Sequence, residues 1–178
     1  MRAPEPAPVR AVVAPAPAVE VRPAEPADLD ALVEVYLDVA AHHAALDPIV
    51  YRVPEAAAAA TRLAKRVADR NDASEYVVAL VNGRIVGSAS IQVEQTPTPG
   101  SMVRPVRHAE LGIGILSGFR GLGIGQAMIA HLEAWAADHA IERIILIVAE
   151  ANEGAFRLYR RIGYVDSGRE LRKELKPR

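Results

Sequence analysis

A short glycine-rich segment, Arg120-Gly121-Leu122-Gly123-Ile124-Gly125, lies between a predicted strand and a predicted helix. Glycines in such a turn leave backbone N–H groups accessible, and the following helix points the positive end of its dipole toward the same place. Arg120 adds a guanidinium with several donors. The segment is typical of an anion site, most naturally one for phosphate groups. The alternative is a tight turn that needs glycine for a positive φ and binds nothing.

Two common nucleotide-binding motifs do not fit this segment. A P-loop requires Gly-Lys-Ser/Thr, whereas this turn continues as Gly125-Gln126-Ala127. The dinucleotide fingerprint requires a third glycine at the position of Gln126. Phosphates bound here would therefore belong to another kind of ligand.

The strand before the turn has glycine at alternate positions, with Gly112 and Gly114 between Leu111, Ile113 and Ile115. Two glycines on one face of a strand indicate a bulge or a ligand that lies close to the backbone. An extended ligand that pairs with main-chain groups here could reach the glycine turn with its phosphates. The pantetheine arm of coenzyme A, with its amides and pyrophosphate, has that form.

Residues 113–125 resemble the acyl-CoA motif of the GNAT N-acetyltransferase superfamily. That motif is an Arg or Gln, two residues, a Gly, one residue, and a Gly or Ala, and its three defining positions are matched by Arg120, Gly123 and Gly125. Residues 152–164 resemble the downstream Asn…Ala…Tyr…Gly-Phe pattern of the same superfamily, with Tyr164 in place of Phe. The resemblance covers about residues 19–175.

The resemblance implies acetyl-CoA as co-substrate, with no metal. In the superfamily the glycine turn cradles the pyrophosphate chiefly through its N–H groups, and the preceding strand runs beside the acetyl group and pantetheine. An asparagine side chain contacts the pantetheine arm, although a helix N-cap is the simpler role for such a residue. The implied cofactor-binding residues are Ile113, Ile115, Arg120, Gly121, Leu122, Gly123, Ile124, Gly125 and Asn152.

Two residues are predicted to be catalytic. Tyr159 matches the tyrosine of the downstream motif, and its hydroxyl, with an ordinary pKa of about 10, can protonate a departing thiolate. The alternative is a packed aromatic on an amphipathic helix. Glu110 opens the cofactor strand, near where many relatives place a carboxylate that takes the proton of the amine. His108 is the second candidate base and shares a strand face with Glu110, and either could instead be a solvated edge residue.

The elements that must position these residues follow from periodicity and turn signals. Alternation of strands and helices predicts a mixed α/β sheet. The resemblance implies a mostly antiparallel, twisted sheet flanked by helices, with a parallel strand pair splayed around the CoA site. Asn82-Gly83 predicts a hairpin. The predicted strands are 19–22, 76–81, 85–93, 109–116, 144–148 and 169–175. One predicted helix begins at residue 26, and three others span 54–69, 124–139 and 153–162. A loop is expected at 95–105.

The composition restricts the class of protein. The 178 residues are 51% hydrophobic and 24% charged, as expected for one domain, and the formal charge of −1 argues against a nonspecific nucleic-acid binder. The lack of cysteine excludes a disulfide framework and a thiol nucleophile. No apolar run suits a bilayer and no signal peptide is recognisable, so we expect a cytoplasmic protein. Seven prolines fall in the first 26 residues, so we predict a disordered tail at 1–18 and one domain at 19–178.

The function implied by the resemblance is transfer of an acetyl group from acetyl-CoA to a primary amine by direct attack in a ternary complex. We expect a small-molecule acceptor, and the alternative is an amine of a protein. The resemblance implies that the first two helices and the 95–105 loop determine which acceptor binds. The alternative functions are a non-catalytic acyl-CoA sensor and an interaction module that uses the basic C-terminal end. No membrane partner is expected, and a homodimer is possible.

Overall fold

The centre of the structure, a computed structural model that describes residues 18–94, 101–102, 104–168 and 172–173, is a twisted sheet with helices on both faces. Within these residues the sheet has five strands in chain order. The strands are β1 Val19–Pro23, β2 Ser74–Val81, β3 Arg84–Val93, β4 His108–Ile115 and β5 Arg143–Ile145, and the α-helices are α1 Leu29–Leu46, α2 Ala56–Ala68, α3 Ile124–Asp138 and α4 Glu153–Arg161.

Strands β1 to β4 are antiparallel, and only the pair of β4 and β5 is parallel among the strands described. The β2–β3 hairpin turns at Asn82 and Gly83, whose φ angles of 51° and 76° are those of a type I′ turn. The predicted hairpin and the mixed, mostly antiparallel sheet are confirmed.

The parallel pair separates soon after it begins. Residues 108–110 of β4 pair with residues 143–145 of β5, whereas β4 continues to Ile115 with no partner on that side among the described strands. The predicted strand at 144–148 is therefore wrong in its extent: β5 spans Arg143–Ile145, and Ile147 is 71% exposed. Because β4 and β5 separate after Ile145, the residues that follow have no adjacent strand, within the described residues, to which their backbone groups can hydrogen-bond.

Each face of the sheet has its own core. Helix α3 packs on one face through Ile124, Met128, Ile129 and Leu132, all of which are buried with the inward residues of β2, β3 and β4. On the other face, α1 and α2 cover β2 in a smaller cluster that includes Leu32, Leu63 and Tyr76. Helix α1 also extends over β4, where Val39 packs against Gly114.

The start of α1 is fixed by an ion pair. Arg22 donates to both carboxylate oxygens of Asp28, at 2.7 and 2.8 Å, and Asp28 also accepts from the Glu25 N–H. The hydrogen bonds from Arg22 lower the pKa of the Asp28 carboxyl despite its burial. The first turn of α1 is therefore tied to β1.

Some predicted segments lie outside the described residues. These are the tail except for residue 18, most of the 95–105 loop, and most of the predicted strand at 169–175. In the described part of the chain, no helix combines the length and apolar character that a bilayer crossing needs.

Candidate functional site

The glycine turn adopts a conformation that only glycine accepts readily. Gly121 and Gly123 have φ angles of 79° and 83°, and a Cβ atom on either would meet no heavy atom within 4 Å. Backbone conformation, and not crowding, therefore requires glycine at both positions. Gly123 is the N-cap of α3, so the turn ends where the helix dipole begins.

The same turn presents a row of unused donors. Within the described parts of the chain, no hydrogen-bond acceptor lies opposite the backbone N–H groups of residues 121–126, and the first N–H of α3 that bonds back belongs to Ala127, which donates to the Gly123 carbonyl at 3.1 Å. Six N–H groups at the N-terminus of a fifteen-residue helix suit a group with several anionic oxygens. The turn thus fits the pyrophosphate that the sequence motif implies.

Gly125 has a second role in packing. It is buried, and a Cβ atom there would lie 3.1 Å from Leu158 Cδ2 and 3.3 Å from Ile115 Cδ1. The missing side chain lets α3 approach both α4 and β4. The sequence motif identified this glycine but did not reveal that it also brings α4, which carries Tyr159, close to β4.

The Arg120 side chain does not direct a free charge at the turn, contrary to the interpretation of the sequence. Its Nε donates to the Ile115 carbonyl at 3.1 Å, and its Nη2 donates to Asp38 at 3.2 Å. Asp38 also accepts from the Ser117 N–H at 2.9 Å and from the Ser117 hydroxyl at 3.0 Å. One carboxylate on α1 thus holds both ends of the segment that leads into the glycine turn.

Asp38 is a site residue that sequence reasoning missed. It lies 79 residues before Ser117 and 82 before Arg120, on a helix with no motif of its own. No local pattern distinguishes it from a solvated helix residue, so only the tertiary fold reveals its contacts.

The two histidines that follow on α1 lie near the same guanidinium. Burial, and then the positive charge of Arg120, lower the pKa of His42; burial and the neighbouring His42 lower the pKa of His43, with a further contribution from Arg120. Both imidazoles are therefore held neutral near pH 7. His43 packs against the ring of Tyr51 with centroids 4.8 Å apart, which anchors the end of α1 to the loop before α2.

The glycines of β4 correct the sequence interpretation in part. The strand pairs with β3 in an unbroken register, so no bulge is present in this pair. A Cβ atom on Gly114 would come within 2.8 Å of Val39 Cγ2, so this glycine admits α1 and not a ligand. Gly112, by contrast, is exposed, and a Cβ atom there would have Ser90 Oγ as its nearest neighbour, at 3.5 Å.

The edge of β4 that separates from β5 can receive an extended ligand. Ile113 and Ile115 pack their side chains into the α3 core, while the strand edge beyond Glu110 has no strand partner in the described chain. Unpaired N–H and C=O groups at such an edge can bond to amides as another strand would. The open edge leads directly to the glycine turn.

Tyr159 lies in the main core, 9% exposed, with its ring centroid 5.9 Å from that of Tyr164. Burial raises the pKa of its hydroxyl, so the group stays protonated throughout the neutral range. No residue in the described ranges provides this hydroxyl with a hydrogen bond. A buried phenol with its proton available has the properties of a general acid.

Glu110 and His108 share a face of β4, as the regular register requires. Glu110 is exposed, whereas the His108 ring nitrogen Nδ1 lies 3.1 Å from the Val106 carbonyl. By strand alternation both point toward the α1–α2 side, opposite the core that contains Tyr159. The structure thus places the candidate acid and base on opposite faces of β4, on either side of its open edge.

Asn152 caps α4, because its side-chain oxygen accepts from the Ala155 N–H at 3.2 Å. This is the simpler of the two roles considered for it. The side-chain NH₂ group still has two donors, so a contact with a ligand amide is compatible with the cap. Among the residues that the structure describes, no group of three His, Asp or Glu side chains could hold a metal ion.

A family comparison agrees with this geometry. The sequence model described as the acetyltransferase (GNAT) family matches residues 32–164, a span that includes the open edge, the glycine turn and α4. The chain belongs to the GNAT acetyltransferase family. Its members are acyltransferase enzymes, and the expected family and fold are confirmed.

Three proteins to which this GNAT chain is similar share between 16% and 29% of their residues with it in the matched regions. It is 29% identical over 107 residues to the mycothiol acetyltransferase of Frankia alni, a match that covers 56% of this chain and 31% of that protein. The fold is similar to that of a tetramutant of the BH1408 protein from Bacillus halodurans, with a TM-score of 0.78, 20% identity, and coverage of 88% and 99% of the two chains. It is also similar to an aminoglycoside N-acetyltransferase, AAC(6')-Iy, in complex with CoA, with a TM-score of 0.65, 16% identity, and coverage of 93% and 100%.

In this GNAT chain, we expect Asp38→Asn to weaken acetyl-CoA binding several-fold, up to about tenfold, with little change in melting temperature. Asparagine keeps the shape but removes the charge that holds Ser117 and Arg120, so the turn is less ordered before binding. Calorimetric titration with acetyl-CoA measures the effect. Glu34→Gln is the matched control, because Glu34 is an exposed carboxylate on the same helix that pairs with Arg84 at 2.7 Å. Equal affinities for the Asp38 variant and the native chain would contradict a positioning role.

Proposed function

We propose that this protein transfers an acetyl group from acetyl-CoA to a primary amine while both substrates are bound. The observation that carries the proposal is the row of unused N–H donors at residues 121–126, directly after the open edge of β4. Anionic pyrophosphate oxygens match the donors, and the amides of a pantetheine arm match the edge. Family membership supports acetyl-CoA as the donor.

The proposed cofactor contacts divide by chemistry. Backbone N–H groups from Gly121 to Gly125 hold the pyrophosphate, and the main chain of Ile113 and Ile115 pairs with the pantetheine arm. Arg120 contributes through its backbone, because its guanidinium is engaged by Asp38. The NH₂ group of Asn152 donates to the arm while its oxygen continues to cap α4.

The proposed reaction is a direct displacement. The amine nitrogen attacks the acetyl carbon, the carbon–sulfur bond breaks, and the sulfur leaves with the bonding electron pair. The Tyr159 hydroxyl donates its proton to that sulfur, and Glu110 accepts a proton from the amine directly or through water. Unpaired N–H groups of the β4 edge stabilise the negative charge on the acetyl oxygen. The chain has no cysteine, so it offers no thiol to carry an acyl intermediate.

Measurement of free CoA thiol tests the proposed function. We expect thiol release from acetyl-CoA to depend on an added primary amine, with the acetylated amine detected in equal amount by mass spectrometry. Acetyl-CoA binding without release in the presence of any amine would favour a non-catalytic sensor. The absence of binding at millimolar acetyl-CoA would contradict the proposal as a whole.

Glu110→Gln is expected to lower kcat/KM most at low pH, and a rise in pH should partly restore the rate. An alkylammonium has a pKa of about 10.4, so the neutral amine is scarcest, and a base is needed most, at low pH. Glutamine keeps the size of the side chain and removes the base. A pH–rate profile of this variant beside His108→Gln distinguishes the two candidate bases. A Glu110→Gln profile parallel to that of the native chain would remove Glu110 from the mechanism.

A further inference from the structure

A cleft lies along α2 on the sheet face that carries Glu110. It has two adjoining parts of about 350 and 330 Å³, and the second lies between α2 and the neighbouring ends of β2 and β3. The α2 wall of this second part is basic, and its floor includes Ser90 and Gln92 of β3. In the sheet register Gln92 lies opposite Glu110 and Ser90 lies opposite Gly112. The floor of the cleft therefore lies beside the strand positions of Gly112 and the candidate base Glu110.

Two arginines in this wall, Arg62 and Arg66, have no carboxylate among the described residues to neutralise them, and of the two Arg66 is the one with a hydrogen bond to the sheet. Arg70 pairs with Glu75 at 3.0 Å and Lys65 pairs with Asp69 at 3.2 Å. Arg66 makes no ion pair with any residue that the structure describes. It reaches toward the sheet, where its Nη1 donates to Ser90 Oγ at 3.3 Å and its guanidinium lies 5.8 Å from the centroid of the Tyr76 ring.

The distance from Arg66 to the candidate base suits a small ligand. Arg66 contacts Ser90, whose register partner Gly112 is exposed and offers no side chain to block the floor. Gly112 and Glu110 are two residues apart on one face of β4, which corresponds to about 6–7 Å along the strand. A molecule a few bonds long can therefore contact the guanidinium at one end and the carboxylate at the other.

We propose that the acceptor is a small amine that also carries an oxyanion, a carboxylate or a phosphate, and that Arg66 binds this anion while Glu110 faces the amine. This inference rests on the proposed function and adds the chemical class of the acceptor. An unpaired guanidinium presents a planar fork of donors that matches either oxyanion. The aromatic ring of Tyr76 and the Ser90 hydroxyl hold that fork toward the cleft.

The test compares amines that differ only in the anion. Straight-chain ω-amino carboxylates, the matching ω-aminoalkyl phosphates, and unsubstituted alkylamines of equal length are supplied with acetyl-CoA, and kcat/KM is measured for each. We expect one anionic series to exceed the alkylamines by at least about tenfold, and the series with the larger ratio identifies the oxyanion. Arg66→Gln should reduce that ratio by a similar factor, with alkylamine turnover little changed, and Arg66→Lys should restore part of it.

Lys65→Gln is the matched control, because it removes one positive charge from the same helix at a lysine that Asp69 already neutralises. We expect it to leave the ratio unchanged. Acetyl-CoA affinity, measured for every variant, shows whether Arg66→Gln has kept its fold. If it has not, the role of Arg66 is tested by the ratio of anionic amine to alkylamine turnover in Arg66→Lys, which should fall below the ratio in Lys65→Gln. Turnover of alkylamines without preference for an anion would overturn this inference and leave the proposed function standing. Turnover of no amine would overturn both.

Discussion

Tyr159→Phe is expected to lower turnover by about 10²–10⁴-fold, the usual contribution of general acid catalysis, while acetyl-CoA affinity stays within a few-fold. Phenylalanine keeps the buried ring and removes only the proton donor. Because the hydroxyl has no hydrogen-bond partner in the described part of the chain, its removal leaves no other polar group there without a hydrogen bond. Single-turnover kinetics and calorimetry measure the two quantities separately.

Tyr164→Phe is the matched control for this experiment. Its ring lies 5.9 Å from that of Tyr159, and its hydroxyl is buried without a hydrogen-bond partner in the described part of the chain. Burial and the nearby Glu133 carboxylate raise the pKa of Tyr164, so both phenols are protonated at neutral pH. We expect full turnover from the Tyr164 variant. Full turnover from Tyr159→Phe, with chemistry shown to be rate-limiting, would reduce Tyr159 to a packed aromatic.

The pH dependence of the Tyr159 variant should differ from that of the Glu110 variant. Burial raises the pKa of Tyr159, so its proton is present below and throughout the neutral range. The loss in Tyr159→Phe should therefore be the same at each neutral pH, and alkali should not rescue it. The Glu110→Gln loss should shrink as the pH rises.

Gly123→Val is expected to weaken acetyl-CoA binding by at least about tenfold, since hydrogen bonds to a charged group contribute about 1.5–3 kcal/mol each. A Cβ atom at this position meets no heavy atom within 4 Å, so the valine side chain would extend into open space at the turn, where the pyrophosphate is proposed to lie. The variant should also lose stability, because a left-handed φ of 83° costs a non-glycine residue about 1–2 kcal/mol. Calorimetric titration and thermal melting report the two effects.

Gly83→Val separates these effects. Gly83 has a φ of 76°, and a Cβ atom there also meets nothing within 4 Å, but it lies in the β2–β3 hairpin. We expect it to lose comparable stability and to keep its acetyl-CoA affinity. If Gly123→Val loses only stability and binds as well as Gly83→Val does, the glycine turn has a purely conformational role.

The parts of the site that local sequence could predict are those that depend on backbone conformation. Gly123 and the Asn82-Gly83 hairpin are predictable because positive φ angles restrict the residue type within a few positions. The spacing from Arg120 to Gly125 predicts the turn, and helical periodicity predicts α3. These features are fixed by neighbours in sequence, so their signals are local.

The remaining parts depend on contacts between distant segments. Asp38 contacts Ser117, and Arg66 contacts Ser90, across separations of 79 and 24 residues. The sequence indicates a ligand beside Gly114, but the structure shows that glycine is needed there because any side chain would collide with Val39 of α1. The length of β5 was overestimated for the same reason, since an apolar run does not tell whether a neighbouring strand continues beside it.

The open edge of β4 has a consequence for solubility. Other sheet edges can be protected from intermolecular pairing by proline, charge or a covering loop, but an edge that must receive a ligand cannot be blocked in these ways. Beyond Glu110 the strand offers only leucine, glycine and isoleucine as far as Ile115, without one charged side chain to repel a second chain. A ligand bound along β4 would therefore protect the native state from aggregation, because it would occupy the same main-chain groups that pairing with a second chain would use.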